Sequence, residues 1–321
     1  MKMDKATILL FSCLLLIGCS TMNVNEGNEN NKNQSNKNED ERTYNFDEKE
    51  IHEYLVPVQE YTGEGYRFRD SVEENLEVAE QHREEVETAV QKWFLDKHKT
   101  EVKVNNLVNV VDGVAVFVEA VGKPNFYTYV IVPVDLKNKE VRTNGIWRQE
   151  GKVEQAIKGG LYAMAFEEEF ANLDQYFESA SQEHGFVGLT KDALESVAGY
   201  GYSTTYYFIQ PHGDTFNTLY ESYKENSEIT MNQLDEFFEK NQNNYSGINI
   251  MFGIHIYMEE AGKEPDKEAL EQITKDIEEM ENIPTGKYSI YLHDNDIDLR
   301  NAIGSQGNSI RRANPNEIYK E

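Results

Sequence analysis

Cysteine occurs at only two positions, Cys13 and Cys19, and both lie near the start of the chain. Any folded segment beyond residue 19 must therefore hold together without a disulfide, through buried apolar surface and hydrogen bonds alone. With 321 residues in total, the chain is long enough to bury a large core, in one domain or in two.

The first residues are typical of an export signal. Lys2 and Lys5 give a positive start, and Ala6 to Ile17 form a nearly unbroken apolar run. The run is too short to span a bilayer as a helix, which needs about 20 apolar residues. We therefore predict a signal peptide over residues 1–18, rather than a membrane-spanning helix.

The apolar run ends in Leu16-Ile17-Gly18-Cys19, the order of residues expected of a lipobox. In such a site the chain is cut before the cysteine, and the cysteine sulfur carries a diacylglycerol. Two acyl chains give stable membrane anchoring, whereas one gives only marginal binding. We predict lipid attachment at Cys19 and a location on the extracytoplasmic face of the cell membrane; an ordinary secretory signal is the alternative.

The composition limits the class of partner. Residues 19–50 are rich in Asn and Glu, so we predict a disordered tether between the anchor and the folded part. Asp and Glu together number 58, against 31 Lys and Arg. Such an acidic chain lacks the clustered cations that phosphate backbones require, which argues against nucleic acid as a partner.

Residues 51–148 predict an α+β unit, in which a helix packs on an antiparallel meander. Ser71 and Glu74 form a potential capping box, and apolar residues at helical spacing continue to about His98. Asp112-Gly113 is a strong hairpin signal. The predicted strands are 102–110, 114–121, 126–134 and 140–147.

Residues 149–294 predict a mixed region of helices and strands, belonging either to the same domain or to a second one. Gly159-Gly160 interrupts the first predicted helix and indicates a kink or a close helix contact. The predicted strands are 202–209, 248–258 and 287–293, and the predicted helix starts lie at Thr190, Asp214, Thr230 and Pro265. Residues 295–321 are polar, and we predict a mobile tail.

The sequence carries no strong motif for catalysis, metal binding or cofactor binding. The sequence contains no His pair with metal-binding spacing, no nucleophile elbow and no phosphate loop, so we predict neither a metal nor a cofactor. His255 shares one strand face with Asn249 and Tyr257, and Tyr202 and Tyr206 belong to a tyrosine-rich segment. Together these five residues are a candidate ligand face. The sequence favours the plainer interpretations, a solvated or hydrogen-bonded sheet face for His255 and strand packing for the tyrosines.

Three segments resemble the signatures of a known family. They are Val56-Pro57-Val58-Gln59-Glu60-Tyr61-Thr62-Gly63-Glu64-Gly65-Tyr66, the stretch from Gln149-Glu150-Gly151 to Leu161-Tyr162-Ala163-Met164, and Lys287-Tyr288-Ser289-Ile290-Tyr291-Leu292. The family consists of uncharacterised lipoproteins of Gram-positive bacteria, classed as a domain of unknown function. The resemblance runs from the lipobox almost to the C-terminus. It implies location and chain architecture, but it implies no catalytic or binding residue.

These observations favour a non-enzymatic surface lipoprotein that binds an envelope protein or a wall polymer. One alternative is a cell-wall hydrolase that acts through carboxylates and His255, which requires two facing carboxyls across a cleft. Another is a carrier of small solutes, which requires two lobes with an apolar cleft between them. The sequence does not identify the ligand or the oligomeric state.

Overall fold

The computed structural model describes residues 54–242, 249–304 and 308–321, all of which belong to one compact unit, Phe46–Glu321. The predicted signal peptide, Cys19 and the predicted tether lie outside the described residues. Among the residues that are described, no helix has both the length and the apolar character needed to cross a membrane.

Helices and strands alternate irregularly along the chain, and the predicted α+β class is confirmed. The helices of the described residues are α1 (Glu73–Gln81), α2 (Arg83–His98), α3 (Lys152–Ala165), α4 (Glu167–His184), α5 (Lys191–Val197), α6 (Asp214–Glu225), α7 (Met231–Asn241) and α8 (Lys267–Glu279). The strands are β1 (Leu55–Pro57), β2 (Val102–Val110), β3 (Gly113–Ala120), β4 (Tyr127–Asp135), β5 (Glu140–Val141), β6 (Phe186–Val187), β7 (Tyr207–Pro211), β8 (Ile250–Met258), β9 (Gly286–His293), β10 (Asp296–Asp298), β11 (Ile303–Gly304), β12 (Ser309–Arg312) and β13 (Ile318–Lys320).

The first helical segment begins later than predicted and is interrupted once. Helix α1 is capped at Val72 without a side-chain hydrogen bond, so the predicted capping box at Ser71 is wrong. Instead, the Asn75 side chain donates to the carbonyl of Val110, and the Val72 N–H donates to the same carbonyl. The sheet therefore positions the start of α1. The backbone breaks at His82 before α2 continues to His98.

Strands β2 to β5 form the predicted antiparallel meander, in the order β2-β3-β4-β5. The Asp112-Gly113 signal is confirmed, because Val110 pairs with Gly113 across a tight turn. The fourth strand is much shorter than predicted: β5 ends at Val141, and a 3-10 turn at Thr143–Gly145 follows. The chain rejoins the sheet where Trp147 pairs with Ile131.

Helix α3 runs without a break through the Gly159-Gly160 pair. A Cβ atom at Gly160 would lie 2.6 Å from the carbonyl oxygen of Asn125, in the loop between β3 and β4. The predicted kink is therefore wrong, and the close contact at Gly160 is made with this loop instead of with another helix.

The second sheet has the order β12-β9-β8-β6, with β7 also pairing with β8 and β13 with β9. Strands β8 and β9 are parallel, because α8 provides the crossover between them, and the other pairs are antiparallel. Helix α8 begins two residues later than predicted, since Asp266, not Pro265, caps it. The predicted inward residues of β8 are buried: Ile250, Phe252, Ile254, Ile256 and Met258.

The main core is continuous from the meander to the second sheet. It includes Phe94 and Val116 from the first predicted region, and Phe216 and Ile254 from the second. Helices of both regions thus bury their apolar faces in the same interior.

The prediction of a mobile tail over 295–321 is wrong for the described residues of that segment. Strands β10 and β11 form a small sheet with β1, and β12 and β13 pair with β9. The error has a physical cause, because a few apolar residues secure the otherwise polar segment. Ile297 and Ile318 are buried, and the Lys320 ammonium donates to the carbonyl of Met280.

Candidate functional site

One side of the second sheet faces away from the main core, and we call it the outer face. Side chains alternate along each strand, and the registers place the outward residues in rows across the sheet. The rows are Gln210–Met251–Lys287–Tyr319, Phe208–Gly253–Ser289, His255–Tyr291–Arg311 and Tyr257–His293–Ser309.

In the fourth row, Tyr257 and His293 are covered by other parts of the chain, whereas Ser309 at the end of the row is exposed. Tyr257 is buried against Tyr61 and Ile297, and Gly304 lies so close to the His293 ring that no Cβ would fit there. In the other three rows, Met251 and Tyr319 are 45% and 55% exposed and Arg311 is also exposed, whereas Phe208, His255 and Tyr291 are half-buried. We call these three rows, together with Tyr200, the open face.

Nearly parallel rings run across the open face. The centroids of Tyr200 and Phe208 are 4.9 Å apart with an interplanar angle of 25°. Phe208 and His255 are 6.0 Å apart at 17°, and His255 and Tyr291 are 4.8 Å apart at 10°. Neighbouring rings therefore cover each other's faces. The ring edges are left for other contacts, and the Nδ1 edge of His255 meets His293.

This arrangement decides between two kinds of binding surface. A sugar ring stacks on an exposed aromatic face, and here most ring faces are already covered. Ring edges offer apolar area together with hydrogen-bonding groups, which is how tyrosines contribute to protein interfaces. The stacking of Phe208 and Tyr291 against His255 therefore favours contact with a protein or peptide over contact with a flat sugar.

Two histidines and a serine form a hydrogen-bonded chain at the end of the row. His255 Nδ1 lies 3.1 Å from His293 Nε2, and His293 Nδ1 lies 2.6 Å from Ser309 Oγ. Burial lowers the pKa of His255 to about 4. Burial, with a smaller contribution from His255, lowers the pKa of His293 to about 3. Both rings are therefore neutral near neutral pH.

The chain of Ser309, His293 and His255 resembles a nucleophile with a base and an orienting group. A general base works best when its pKa lies near the working pH, and a pKa of about 3 for His293 is far below that. Among the described residues, no carboxylate contributes to the lowered pKa of His255, which comes from burial. Burial raises the pKa of Asp174, but that carboxylate accepts a hydrogen bond from Tyr207, whose side chain lies on the core side of the sheet. This geometry does not favour the hydrolase alternative.

The five predicted ligand-face residues do not form one surface. His255 lies on the open face, whereas Tyr257 is buried beneath the chain that covers the fourth row. Tyr206 stacks on Phe177 at 5.5 Å, and Tyr202 packs edge-on against Phe170, both on the core side.

The reason lies in where β7 begins. It starts at Tyr207 instead of Tyr202, and the preceding residues form a tight turn in which Ser203 pairs with Phe208. Asn249 lies before β8, where its carbonyl accepts the His212 N–H. In the described part of the chain, no group of three or more His, Cys, Asp or Glu side chains is arranged to hold a metal.

Sequence reasoning missed the rest of the open face. Lys287, Ser289 and Tyr291 alternate along the last predicted strand, and this spacing indicates that their side chains share one face of the sheet. Nothing in the sequence indicated that β9 lies parallel to β8 and brings Tyr291 beside His255. Arg311 fell within the predicted mobile tail.

Comparisons with known proteins identify the family. The model of a family described as a protein of unknown function, DUF1672, matches residues 48–320. A crystal structure of a DUF1672 family protein from Staphylococcus aureus subsp. aureus Mu50 superposes with a TM-score of 0.68. It is 15% identical, and the match covers 84% of this chain and 98% of that chain, which shows a shared fold. A search of the curated proteins found no match. The chain therefore belongs to the DUF1672 family, whose function is unknown.

Proposed function

We propose that this chain is a lipid-anchored, extracytoplasmic protein that acts by binding another protein. The anchoring rests on the sequence: a positive start, a short apolar run and the Leu16-Ile17-Gly18-Cys19 pattern occur in the order that a lipoprotein signal requires. The Asn/Glu-rich segment that follows is suited to separate the folded unit from the membrane.

The binding surface that we propose is the open face. The observation that carries this proposal is the row of nearly parallel rings from Tyr200 to Tyr291, set among the accessible side chains of Met251, Arg311 and Tyr319. Tyr, Phe, Met and Arg are the residues that protein interfaces favour relative to ordinary surface. Contiguous exposed apolar patches, especially those rimmed by polar residues, mark protein interaction sites.

A Cys19→Ala variant tests the anchoring. We expect the wild-type chain to be processed, to sediment with membranes and to partition into the detergent phase. Without the sulfur that carries the lipid, the variant should remain unprocessed at this site and should not enter the detergent phase as a lipoprotein. Normal processing of the variant, with unchanged membrane association, would overturn the proposed anchor.

Sedimentation of detergent extracts from cells that make the full-length chain tests the surface. We expect the wild-type chain to sediment as part of a larger complex. The double variant Met251→Asp, Tyr319→Asp should sediment as the free chain, because it places carboxylates in the centre of the interface.

Leu95 and Val121 are exposed to similar extents, 49% and 57%, but lie outside the open face. The double variant Leu95→Asp, Val121→Asp is therefore a matched control and should keep the complex. Loss of the complex in both double variants, or in neither, would contradict the proposed surface.

A further inference from the structure

The open face differs in charge from the rest of the chain. Asp and Glu together supply 58 of the 321 residues, yet none of the outward positions of β7, β8, β9, β12 and β13 carries a carboxylate. The charged side chains at these positions are Lys287 and Arg311, both cationic. A third cation, Lys152 at the start of α3, lies with its ammonium 4.5 Å from the centroid of the Tyr200 ring.

These three cations are available for a partner. Lys287 lies over the ring of Tyr319, at 5.7 Å from its centroid, and Arg311 is exposed beside Tyr291. Within the described residues, none of the three forms a salt bridge. Desolvation lowers the pKa of Lys152, as expected for a half-buried ammonium that lacks a nearby carboxylate.

Several cations elsewhere in the described residues pair with carboxylates. Lys103 pairs with Glu119 at 2.8 Å, and Lys123 with Glu167 at 2.7 Å. In a chain with such an excess of carboxylates, unpaired cations collected around an accessible aromatic row make a surface that is complementary to negative charge.

We propose that the partner segment bound by the open face is an acidic peptide segment of another protein. This inference rests on the proposed function, and it identifies the chemistry of the partner. Carboxylates of the segment pair with Lys152, Lys287 and Arg311, while its apolar side chains pack between the ring edges and Met251. The cations at the rim steer and orient the segment, and the aromatic row supplies the apolar contact area.

The sheet geometry sets the spacing of the acidic residues. Lys287 and Tyr291 are four residues apart on β9, and Arg311 lies beside Tyr291 on the next strand. Strands rise about 3.3 Å per residue and lie about 4.8 Å apart, so the backbones at Lys287 and Arg311 are roughly 14 Å apart. An extended partner chain covers that distance in about four residues. We therefore expect acidic residues about four positions apart, with apolar residues between them.

Two other occupants fit the surface less well. A second copy docked about a two-fold axis would present the same face on both sides, and because its outward strand positions carry no carboxylate, Lys287 and Arg311 would find no opposite charge there. A phosphate polymer is bound by clustered cations that follow its backbone, whereas here three separated cations surround apolar side chains and ring edges.

Selection of short random peptides on the full chain, held in detergent micelles, tests the inference. We expect enriched peptides to be acidic, with carboxylates about four residues apart and apolar residues between them. Their binding should weaken about ten-fold or more in the triple variant Lys152→Glu, Lys287→Glu, Arg311→Glu, and should also weaken at high salt.

The control carries the same change of charge at exposed lysines outside the open face: Lys92→Glu, Lys137→Glu, Lys263→Glu. It should bind the enriched peptides with nearly wild-type affinity. Thermal unfolding of both triple variants shows whether they are folded as the wild type is.

The other outcomes separate the two proposals. Enriched peptides that are neutral or basic, and that still require Met251 and Tyr319, would overturn the acidic partner but leave the binding surface intact. If no peptide is enriched, and a poly(glycerol phosphate) probe binds the wild type but not the charge-reversed variant, the partner is a phosphate polymer and not a peptide. Both proposals would be overturned if the enriched peptides bound equally well without the open-face cations and without Met251 and Tyr319. They would also be overturned if neither the peptides nor the polymer bound.

Discussion

The ring of Phe208 lies directly over Gly253 on the neighbouring strand, with its tip 2.5 Å from where a Cβ atom of residue 253 would be. Glycine at this position therefore leaves the space that the ring occupies between Tyr200 and His255. The aromatic row depends on the absence of a side chain at residue 253 as much as on the rings themselves.

Substituting Gly253→Ala should displace the Phe208 ring and destabilise the protein by about 1–3 kcal/mol, the usual range for overpacking. Urea denaturation measures the change. Gly145→Ala is the control, because a Cβ there meets ordinary contacts at 3.5 Å or more. In a Phe208→Ala background the Gly253→Ala substitution should cost much less, and an equal cost in both backgrounds would show that the ring is not the cause.

Stability should fall as the medium is acidified, in part because His255 is buried. Burial lowers its pKa from 6.5 to about 4, so the unfolded chain binds a proton at pH values where the folded chain does not. This contribution is fully present above about pH 6.5 and is lost as the pH falls towards 4.

A His255→Phe variant keeps a ring in the row and removes the titration. Its free energy of unfolding should depend less steeply on pH between about 6.5 and 4, by up to about 1.4 kcal/mol per pH unit. Urea denaturation at several pH values measures the slope. An unchanged slope would mean that His255 takes up its proton as readily in the folded protein as in the unfolded chain.

Gly160 distinguishes helix propensity from packing. Alanine in the middle of a helix is normally favoured over glycine by about 1 kcal/mol. Here the added Cβ would meet the Asn125 carbonyl at 2.6 Å and Pro124 at 3.0 Å, so we expect Gly160→Ala to destabilise the protein. At the adjacent Gly159 the closest atom would be 3.3 Å away, so alanine there should cost less. A thermal unfolding midpoint raised by Gly160→Ala would contradict this contact.

The C-terminal strands should be required for stability. Ending the chain after residue 308 removes β12 and β13, exposes an edge of β9, and deletes the buried side chain of Ile318. We expect the truncated chain to unfold at a markedly lower temperature or to aggregate. Removal of Glu321 alone, which is exposed, should change nothing. If the chain that ends after residue 308 unfolded at the same temperature as the wild type, the C-terminal segment would contribute nothing to stability, as a mobile tail would.

Periodicity predicted much of the secondary structure, because it reports which residues face a core. The alternation along β8 and the hairpin at Asp112-Gly113 were both readable for this reason. Local signals misplaced several ends. Asn75 donates a hydrogen bond to the backbone of β2 and so positions α1. A local sequence pattern does not predict this bond, because its two residues are far apart in the sequence.

The candidate site was less predictable than the fold elements. His255 was found because it alternates with buried residues, but its neighbours come from three other strands whose order depends on tertiary pairing. Tyr202 and Tyr206 were misplaced because a turn before β7 directs them to the core side. Arg311 was missed because two buried residues, Ile297 and Ile318, suffice to secure a segment that looks polar.

Photo-crosslinking in intact cells tests most directly whether the open face is where this protein meets its partner. A photoreactive phenylalanine analogue would replace Met251 or Tyr319 on the open face, or Leu95 on α2, which is exposed to a similar extent. We predict a discrete protein adduct from positions 251 and 319 and none from position 95. Adducts of equal yield and size from all three positions, or no adduct from the open face, would contradict the account.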